Sequence, residues 1–379
     1  MKFIHLSDLH LGKRLNEFSL TEDQQYILTE IIGIIDAEVP DAVIIAGDVY
    51  DKSVPSAEAV GIFDEFLSEL AARKLEVFVI SGNHDSPERI AFASRIMDLS
   101  GIHMSPVYCG RIEPVRLEDE FGEVSVYMLP FIKPADVHRF FDGSEIESYT
   151  DAVRCVVGEM KVDESKRNVI AAHQFVTGAR RSESEEISVG GSDNVDADVF
   201  GRFDYAALGH IHSPQSCGSE TIRYSGTPLK YSFSEAKDRK SVTVVELREK
   251  GSVSVREVGL VPLRDLVELR GRYADLTLRS FYENTTWQED YTHIVLTDED
   301  DIPDAVGKLR TVYRNLMKID YDNMRTRSNA AVTGDGDAAS KTPYELFADF
   351  YELQNNQPMS ADQAEYIRDL IEKTWEGGK

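Results

Sequence analysis

Five short apolar runs most constrain what this chain can fold into. They are rich in Val and Ile, they do not alternate with polar residues, and they read KFIHLS, DAVIIAG, LEVFVISG, RNVIAAH and YAALGH. Runs of this length and composition are typical of strands that are buried on both faces of a sheet. Helical patterns lie between several of them, so the sequence predicts a layered α/β domain.

Three segments between these runs have the spacing of amphipathic helices. Thr21 to Gln24 has the pattern of a capping box, and apolar residues recur at helical spacing after it. SAEAVGIFDEFLSELAARK is predicted as a second helix and PERIAFASRIMDL as a third. After Tyr231, the alternating segment SVTVVELREKGSVSVREVGL predicts a hairpin at the edge of the main sheet.

The last third of the chain has a different pattern. Residues 263–323 contain a strand-like segment, the strand YTHIVLT and the helix IPDAVGKLRTVYRNLM, which predict a small separate α+β domain. Residues 324–341 are small and polar and predict a flexible linker. Residues 342–379 predict two amphipathic helices, each opened by a capping box.

The charge and the cysteines limit the classes of protein that the chain can belong to. It has 67 acidic and 41 basic residues, a net charge of −26, so DNA binding would need a local basic strip, bound cations or a more basic partner. Its three cysteines form no short-spaced pair, which indicates reduced thiols. No run approaches the length of a membrane span, and we expect a cytoplasmic protein with no membrane association.

Each of the five apolar runs ends in side chains that can bind a metal ion. In chain order these are Asp8 and His10, then Asp48, then Asn83 and His84, then His173, and finally His210 and His212. The carboxyl ends of strands in an open α/β sheet form the crevice where ligands bind, so these side chains can converge on one site. Five of the nine histidines sit at these strand ends, and we expect the other four to be structural.

The types of side chain indicate which metals the site would hold. Carboxylates, imidazoles and one amide oxygen, without thiolates, favour Mn²⁺, Fe²⁺ or Mg²⁺ over a structural zinc ion. Seven of these eight side chains as ligands are too many for one ion, but two ions roughly 3.5–4 Å apart, bridged by one carboxylate, would use all seven. Asp85 has two possible roles: its carboxylate could orient a neighbouring metal ligand, or it could cap the helix that begins at SPER. The sequence slightly favours the cap.

The motifs D-x-H, G-D-x-x-D, G-N-H-D, a lone His and G-H-x-H, in this order, resemble those of the calcineurin-like metallophosphoesterases. HLSDLHLGK, GDVYDKSVPS, YAALGHIHSPQ and YSGTPLKYSFSE are further similar to the bacterial SbcD nuclease subunits, a family of double-strand-break-repair nucleases. The resemblance implies a layered β-sandwich metallophosphoesterase core flanked by helices over residues 1–262. It also implies a capping domain over 263–323 and ATPase-binding helices over 342–379.

The resemblance also assigns roles to residues. It places Asp8, His10, Asp48 and His212 on one ion and Asp48, Asn83, His173 and His210 on the other, with His84 at the scissile phosphate or leaving group. Archaeal relatives have a histidine at the position of Asp51, so the role of Asp51 stays open. The resemblance implies that Lys230 contacts the DNA backbone. ARRSESEEISVGGSDNVDAD is read as a solvated loop, whose acids argue against a strong phosphate patch at its two arginines.

The function that the resemblance implies is a DNA exonuclease and endonuclease that uses Mn²⁺ best. It would be the catalytic subunit of a complex with an SbcC-like ABC ATPase that carries a coiled coil, and a homodimer within a heterotetramer. Its substrates would be double-stranded ends, hairpins and single strands. The alternative is a small-molecule phosphodiesterase or a protein phosphatase with the same two-metal centre.

Overall fold

The computed structural model describes residues 1–141, 146–182, 193–324, 326, 342–355, 359–360, 363–364, 366–368 and 370–371. Its strands are β1 (Lys2–Leu6), β2 (Arg14–Leu15), β3 (Phe18–Ser19), β4 (Ala42–Ala46), β5 (Glu76–Ile80), β6 (Ile102–Met104), β7 (Val115–Asp119), β8 (Gly122–Leu129), β9 (Arg167–His173), β10 (Phe175–Val176), β11 (Asn194–Val195), β12 (Tyr205–Gly209), β13 (Gln215–Cys217), β14 (Ser219–Tyr224), β15 (Ser241–Leu247), β16 (Val253–Gly259), β17 (Leu266–Gly271), β18 (Tyr291–Leu296) and β19 (Asn315–Tyr321).

Within the described ranges, the α-helices lie in six of the segments between these strands and after the last strand. They are α1 (Thr21–Glu38), α2 (Ala57–Ala72), α3 (Pro87–Ile90), α4 (Ser94–Met97), α5 (Pro134–His138), α6 (Tyr149–Glu159), α7 (Tyr273–Leu276), α8 (Arg279–Tyr282), α9 (Ala305–Arg310) and α10 (Pro343–Asn355). Among the described residues, no helix is both long enough and apolar enough to cross a membrane.

Two six-stranded sheets contain all five of the apolar runs, as the sequence predicts. The first sheet has the order β16-β15-β1-β4-β5-β6 and the second has the order β13-β14-β12-β9-β8-β7. β1, β4, β5 and β6 are parallel, and so are β8, β9, β12 and β14. β15 and β16 form an antiparallel hairpin along β1, which confirms the predicted edge hairpin.

The two sheets pack face to face because their strands are apolar on both sides. Phe3, Ile44 and Phe78 of the first sheet share a core with Val169 and Tyr205 of the second. Alternate residues of the same strands point outward, where α1 and α2 cover the first sheet and α6 covers the second. The result is the predicted layered sandwich, with helices on both outer faces.

The predicted helix over PERIAFASRIMDL is wrong as one continuous element. α3 and α4 are separated by Ala93, whose φ of 59° lies in the left-handed region and breaks the helical path. Ile90 is buried, but Phe92, Ile96 and Leu99 are 78%, 71% and 88% exposed. Because most of its apolar side chains find no core here, the segment lacks the packing that makes long helices stable.

An ionic cluster joins the two sheets at the end opposite to the carboxyl ends of β1 and β9. Asp119 of β7 accepts hydrogen bonds from the Arg167 guanidinium of β9, and from the N-terminal ammonium beside β1 at 2.6 Å. Arg167 also donates to the carbonyl oxygen of Leu247 in β15 at 3.3 Å. Burial opposes ionisation, but Arg167 and the ammonium hold the pKa of Asp119 well below its ordinary value.

The chain divides into two units, Met1–Leu266 and Val267–Lys379. In the second unit, β17, β18 and β19 form one sheet. The predicted helix IPDAVGKLRTVYRNLM is too long, because only α9 within it is helical. The last three residues of the predicted segment, NLM, instead begin β19, which pairs in parallel with β18. The predicted boundaries at 262/263 and 323/324 stay predictions, and residues 325 and 327–341 of the predicted linker lie outside the described part of the chain.

The C-terminal segment contains a helical pair. Thr342 and Ser360 both form the predicted capping boxes, accepting from the backbone N–H of Glu345 and Gln363 at 3.3 Å each. Residue 363 and the described residues up to 371 are helical. The two helices contact each other where Arg368 lies over the Tyr344 ring, 4.5 Å from its centre.

The substitution Asp119→Asn should lower the free energy of unfolding by about 3 kcal/mol, because it leaves the buried Arg167 guanidinium without its carboxylate. A carboxyl with a depressed pKa in the folded state stabilises only where it is ionised. The difference from the wild type should therefore be constant from about pH 5 to 7 and shrink below about pH 4. Urea unfolding across that pH range measures it, and a difference that does not change with pH would contradict the ionic explanation.

Candidate active site

The candidate site lies at the carboxyl ends of strands from both sheets. Asp8 and His10 follow β1, Asp48 follows β4, Asn83 and His84 follow β5, His173 ends β9, and His210 and His212 follow β12. The structure brings all eight side chains together, as the sequence predicts. All of them except Asn83 and His84 are buried, although they are polar or charged.

One group consists of Asp8, His10 and His212, which offer ligand atoms that lie within 4.8 Å of one another. The Nε2 atoms of His10 and His212 are 3.3 Å apart, and His10 Nε2 is 3.7 Å from Asp48 Oδ2. These atoms face a common point, which is the arrangement expected of ligands to one ion.

A second group lies around the other side of Asp48. His173 Nε2 is 3.4 Å from Asp48 Oδ2, and the Asn83 side-chain oxygen is 3.0 Å from both His173 Nε2 and His210 Nδ1. The Asp48 carboxylate therefore lies between the two groups. It accepts a hydrogen bond at 2.9 Å from the backbone N–H of His84, which fixes its orientation.

The buried polar atoms of this site fit divalent cations. His173 donates its Nδ1 proton to the Ala46 carbonyl oxygen at 2.8 Å, so its Nε2 faces the cluster in the way that metal-bound histidines do. His210 Nε2 is buried and has no hydrogen-bond partner among the described residues. Burial and the neighbouring Asp48 raise the pKa of Asp8, so the centre lacks positive charge that a cation would supply.

The same burial and the same carboxylates shift the pKa values of two histidines of the site. Burial lowers the pKa of His173, but Asp48 and Asp8 outweigh it and raise that pKa to about 9. Burial, with His173 close by, lowers the pKa of His210 to about 3. The two histidines on the Asn83 side of Asp48 are thus shifted in opposite directions, with the raised pKa at His173, which lies closer to the carboxylates.

The backbone that carries these side chains is strained. Asp8, His10 and Asp48 have φ angles of 53°, 44° and 49°, and His210 has a φ of 102°. Residues other than glycine rarely adopt positive φ, and each costs of order 1–3 kcal/mol that the surrounding structure must offset. Such strain is typical of functional sites. Here the positive φ angles direct the side chains toward the site, which a regular extended backbone would not do.

Gly209 allows the two sheets to approach each other at the site. A Cβ atom on this residue would lie 1.9 Å from the Ala46 carbonyl oxygen and 2.7 Å from His173 Nδ1. Only glycine fits in this position, so the motif G-H-x-H requires its first residue for packing as well as its histidines.

Asp85 does not cap the following helix, so that prediction is wrong. Ser86 is the N-cap of α3, and its hydroxyl accepts from the Arg89 N–H at 3.4 Å. The Asp85 carboxylate instead accepts from the backbone N–H groups of Tyr50 and Gly82, each at 2.9 Å, and from a third at Val49. It therefore ties the loop of Asp48 to the loop of Asn83, which is the supporting role left open as the alternative.

Gln24 does not complete a capping box, and that prediction is also wrong. The N-cap of α1 is Leu20, without a side-chain hydrogen bond. Gln24 is buried and donates to the His10 carbonyl oxygen at 2.7 Å and to the Tyr231 hydroxyl at 3.1 Å. It also accepts from the Gly12 N–H at 2.9 Å, so it holds the strained loop that carries His10.

Glu235 is a site residue that sequence reasoning missed. Its fully buried carboxylate lies 3.4 Å from His212 Nδ1 and 2.6 Å from the Lys240 ammonium. Burial opposes ionisation, but His212 and Lys240 lower the pKa of Glu235 to about 2, so it is ionised. A carboxylate that accepts the Nδ1 proton of a histidine directs the Nε2 lone pair at a metal. Its only signal in the sequence was its place at the end of YSGTPLKYSFSE.

His84 and Asp51 lie at the more open side of the centre. The His84 side chain is 19% exposed, and its Nδ1 donates to the Asp51 carbonyl oxygen at 3.1 Å. Its Nε2 is 3.9 Å from Asp48 Oδ2. The Asp51 carboxylate forms an ion pair with Lys13 at 2.8 Å, which answers in part the question of its role.

Lys230 is not free to contact a phosphate in this arrangement. Its ammonium donates to the Ala236 carbonyl oxygen at 2.7 Å and forms an ion pair with Asp265 at 2.8 Å. Its contact with DNA stays a prediction that these interactions disfavour.

Comparison with known families accounts for this geometry. Residues 1–214 match the family model described as calcineurin-like phosphoesterase. Residues 262–355 match SbcD_C, described as type 5 capsule protein repressor C-terminal domain. The chain is 32% identical over 378 residues to the SbcD subunit of nuclease SbcCD from Staphylococcus epidermidis, covering 98% of both chains. The chain belongs to the SbcD family of calcineurin-like phosphoesterases.

Two further similarities were found. The SbcD subunit of nuclease SbcCD from Staphylococcus saprophyticus is 32% identical over 383 residues, covering 100% of both chains. A dimetal phosphatase from Danio rerio aligns with a TM-score of 0.42 at 12% identity, over 69% of this chain and 98% of that one. As an SbcD-family protein, the chain is a hydrolytic nuclease subunit that uses divalent metal ions.

In this SbcD-family centre, Glu235→Gln should weaken the binding of Mn²⁺ by roughly ten- to a hundredfold, because His212 loses the charge that orients it. Isothermal titration calorimetry of the metal-free protein measures this affinity. Glu249→Gln, which changes an exposed glutamate in a turn, is the matched control and should bind Mn²⁺ like the wild type. An unchanged affinity in the folded Glu235→Gln variant would remove Glu235 from the site.

Proposed function

We propose that the chain hydrolyses phosphodiester bonds in DNA with two divalent ions, Mn²⁺ in preference to Mg²⁺ or Fe²⁺, as the catalytic subunit of an SbcCD-type complex in the cytoplasm. The observation that carries this proposal is the position of Asp48 between two groups of buried ligands. Asp8, His10, Asp48 and His212 would hold one ion, and Asp48, Asn83, His173 and His210 the other. The curated relatives are named as a subunit of nuclease SbcCD, which supports both the substrate class and the complex.

The metal ligands, the residues that orient them and His84 would have different roles in the hydrolysis. When bound, two divalent ions lower the pKa of a water molecule and stabilise negative charge on phosphoryl oxygens. Glu235 and the Ala46 carbonyl orient His212 and His173 by accepting their Nδ1 protons. His84, held at Nδ1 by the Asp51 carbonyl oxygen, presents Nε2 to the scissile phosphate or to the leaving oxygen and can donate a proton there.

The alternative is a small-molecule phosphodiesterase or a protein phosphatase with the same centre. The second unit and its helical pair favour the nuclease, because hydrolysis of a small diester does not need them. Incubation with Mn²⁺ of a hairpin-ended duplex, bis-p-nitrophenyl phosphate and a cyclic nucleotide compares the two. Efficient cleavage of the small diesters without any cleavage of DNA would refute the nuclease proposal.

The substitution His84→Gln should separate chemistry from metal binding. The variant should keep its metal content, while DNA cleavage falls by roughly 10²-fold or more, the scale for losing a general acid or base. Asp48→Ala should instead lose both metal and cleavage, because both ions share this carboxylate. Elemental analysis and a nuclease assay on the two variants give the answer. Loss of metal from His84→Gln, or normal cleavage by Asp48→Ala, would refute the assignment.

We further propose a homodimer through α2 and the segment of α3 and α4, within a heterotetramer. Val60 of α2 is 44% exposed, and Phe92, Ile96 and Leu99 are more exposed still. Phe92, Ile96 and Leu99 are three large exposed apolar side chains within eight residues, and an apolar patch of this kind would be buried in a dimer. Sedimentation at micromolar concentration tests the proposal, and a strict monomer would contradict it.

The C-terminal helical pair is proposed to dock on the coiled coil of an SbcC-like ABC ATPase. Leu346, Phe350, Tyr366 and Leu370 stay 42%, 57%, 67% and 48% exposed although the two helices contact each other. An amphipathic helix pair with uncovered apolar side chains suits docking in a helical groove.

Removal of residues 340–379 should therefore spare Mn²⁺-dependent cleavage of short DNA but abolish co-purification with the ATPase and stimulation by ATP. Phe350→Glu should weaken co-purification without truncation, because it places a charge on the docking face. Pull-down and ATP-dependent cleavage measure both effects. Full-affinity binding of the truncated protein to the ATPase would show that these helices are not the tether.

A further inference from the structure

A polar groove of about 950 Å³ begins beside the candidate metal centre. Ser213, Pro214 and Gln215, which line it, follow directly on the candidate ligand His212. Three residues of extended chain span at most about 11 Å, so the near end of the groove is within that distance of the centre. Nothing in the proposed hydrolysis uses this groove.

Three arginines line the groove against two carboxylates, in a chain whose net charge is −26. Arg223 pairs with Glu257. Arg181 pairs with Asp193 at 2.7 Å and lies over the Phe175 ring, 3.6 Å from its centre. The Phe175 ring is in turn 6.4 Å from the His210 ring, which connects this wall of the groove to the centre.

Arg180 differs from the other two arginines. Its side chain is exposed and has no hydrogen bond or ion pair with any residue in the described ranges. Its backbone is fixed, because its N–H donates to the Gln215 side-chain oxygen at 2.8 Å and its carbonyl accepts from the Gln215 amide at 2.9 Å. The protein thus presents an accessible guanidinium at a defined place in the groove.

The chemistry of the lining suits a chain of phosphates. Guanidinium groups bind phosphate oxygens with two parallel hydrogen bonds. Four serines that line the groove add hydroxyl groups of the kind that contact phosphate and sugar: Ser182, Ser213, Ser216 and Ser234. Successive phosphates of one DNA strand lie about 3.4 Å apart along the helix axis, so a strand cleaved at the centre has neighbouring phosphates within reach.

We propose that this groove binds the backbone phosphates of DNA next to the scissile bond, with Arg180 as a direct phosphate ligand. The inference rests on the proposed nuclease function, and it names where the substrate strand lies. Its place beside the centre favours DNA over an acidic surface of a partner protein. Glu183, Glu185 and Glu186 of the loop predicted as solvated lie outside the described part of the chain. The prediction is wrong for the last residues of that loop, because Asp193 is buried and pairs with Arg181, and Asn194–Val195 form β11.

Fluorescence anisotropy of a labelled duplex with uncleavable phosphorothioate linkages tests the proposal on the full-length, Mn²⁺-loaded protein. Arg180→Gln should weaken DNA binding by about tenfold, the scale of a lost hydrogen-bonded charge contact. It should also make the dependence of log affinity on log salt shallower by about one. Hydrolysis of bis-p-nitrophenyl phosphate should be unchanged, because a small diester needs only the centre.

Arg248→Gln is the matched control, since Arg248 is an exposed arginine beside β15, at the end of the first sheet opposite to the site. It should bind DNA like the wild type. Wild-type affinity and salt dependence in Arg180→Gln would overturn the proposal, whether Arg180 then serves a partner protein or its own loop. An equal loss in Arg248→Gln, or no DNA binding by the wild type, would overturn it too. If the wild type binds the phosphorothioate duplex but does not cleave an unmodified duplex with Mn²⁺, the nuclease function is refuted instead.

Discussion

The burial of the Asp48 carboxylate between two sets of imidazoles is the interaction on which the rest of the structure depends. Burial of an isolated carboxylate destabilises its charged form. Here His173, His10 and His84 surround the Asp48 carboxylate, and they outweigh burial and keep its pKa low. Asp8 is buried close by, and burial together with the negative charge of Asp48 raises the pKa of its carboxyl, so two carboxylates here need added positive charge to be ionised together. The fold therefore stabilises a site that is electrostatically complete only when divalent cations are bound.

Such a centre requires support from outside its ligands. Four of the candidate ligands have positive φ, and these strained loops are held by side chains that never reach the metal positions. Asp85 binds three backbone N–H groups, Gln24 binds the loop after His10, and Glu235 binds His212. Because each of these three groups is buried, any one that lost its partners would leave an uncompensated polar group as well as a loose loop.

The sequence predicts the candidate metal ligands of this site better than it predicts the residues that hold those ligands in place. Asp8 and Asp48 are recognisable because they end apolar strands, and parallel strands bring their carboxyl ends together. Gln24 and Asp85 resemble helix-capping residues in sequence, and only the folded chain shows that their side chains bind loops of the site instead of a helix N-terminus. Glu235 has no periodic signal at all. Likewise, the helix predicted to end at Met317 gives way to β19, because pairing with β18 is a tertiary contact that outweighs local helical spacing.

The net charge of −26 sets the conditions under which a polyanion can reach the centre. At physiological ionic strength, charges separated by more than about 8 Å are largely screened, so a phosphate responds mainly to the groups around it. The acidic surface then repels DNA wherever no cation is near, and attraction is confined to bound metal ions and to accessible cations such as Arg180. Under the proposed function, a DNA strand would be attracted to the place where the bound ions and the arginines of the groove lie side by side. A net charge of −26 gives the chain little non-specific attraction for long DNA, so the proposed docking of a partner on the C-terminal helices would add to DNA binding if that partner is more basic.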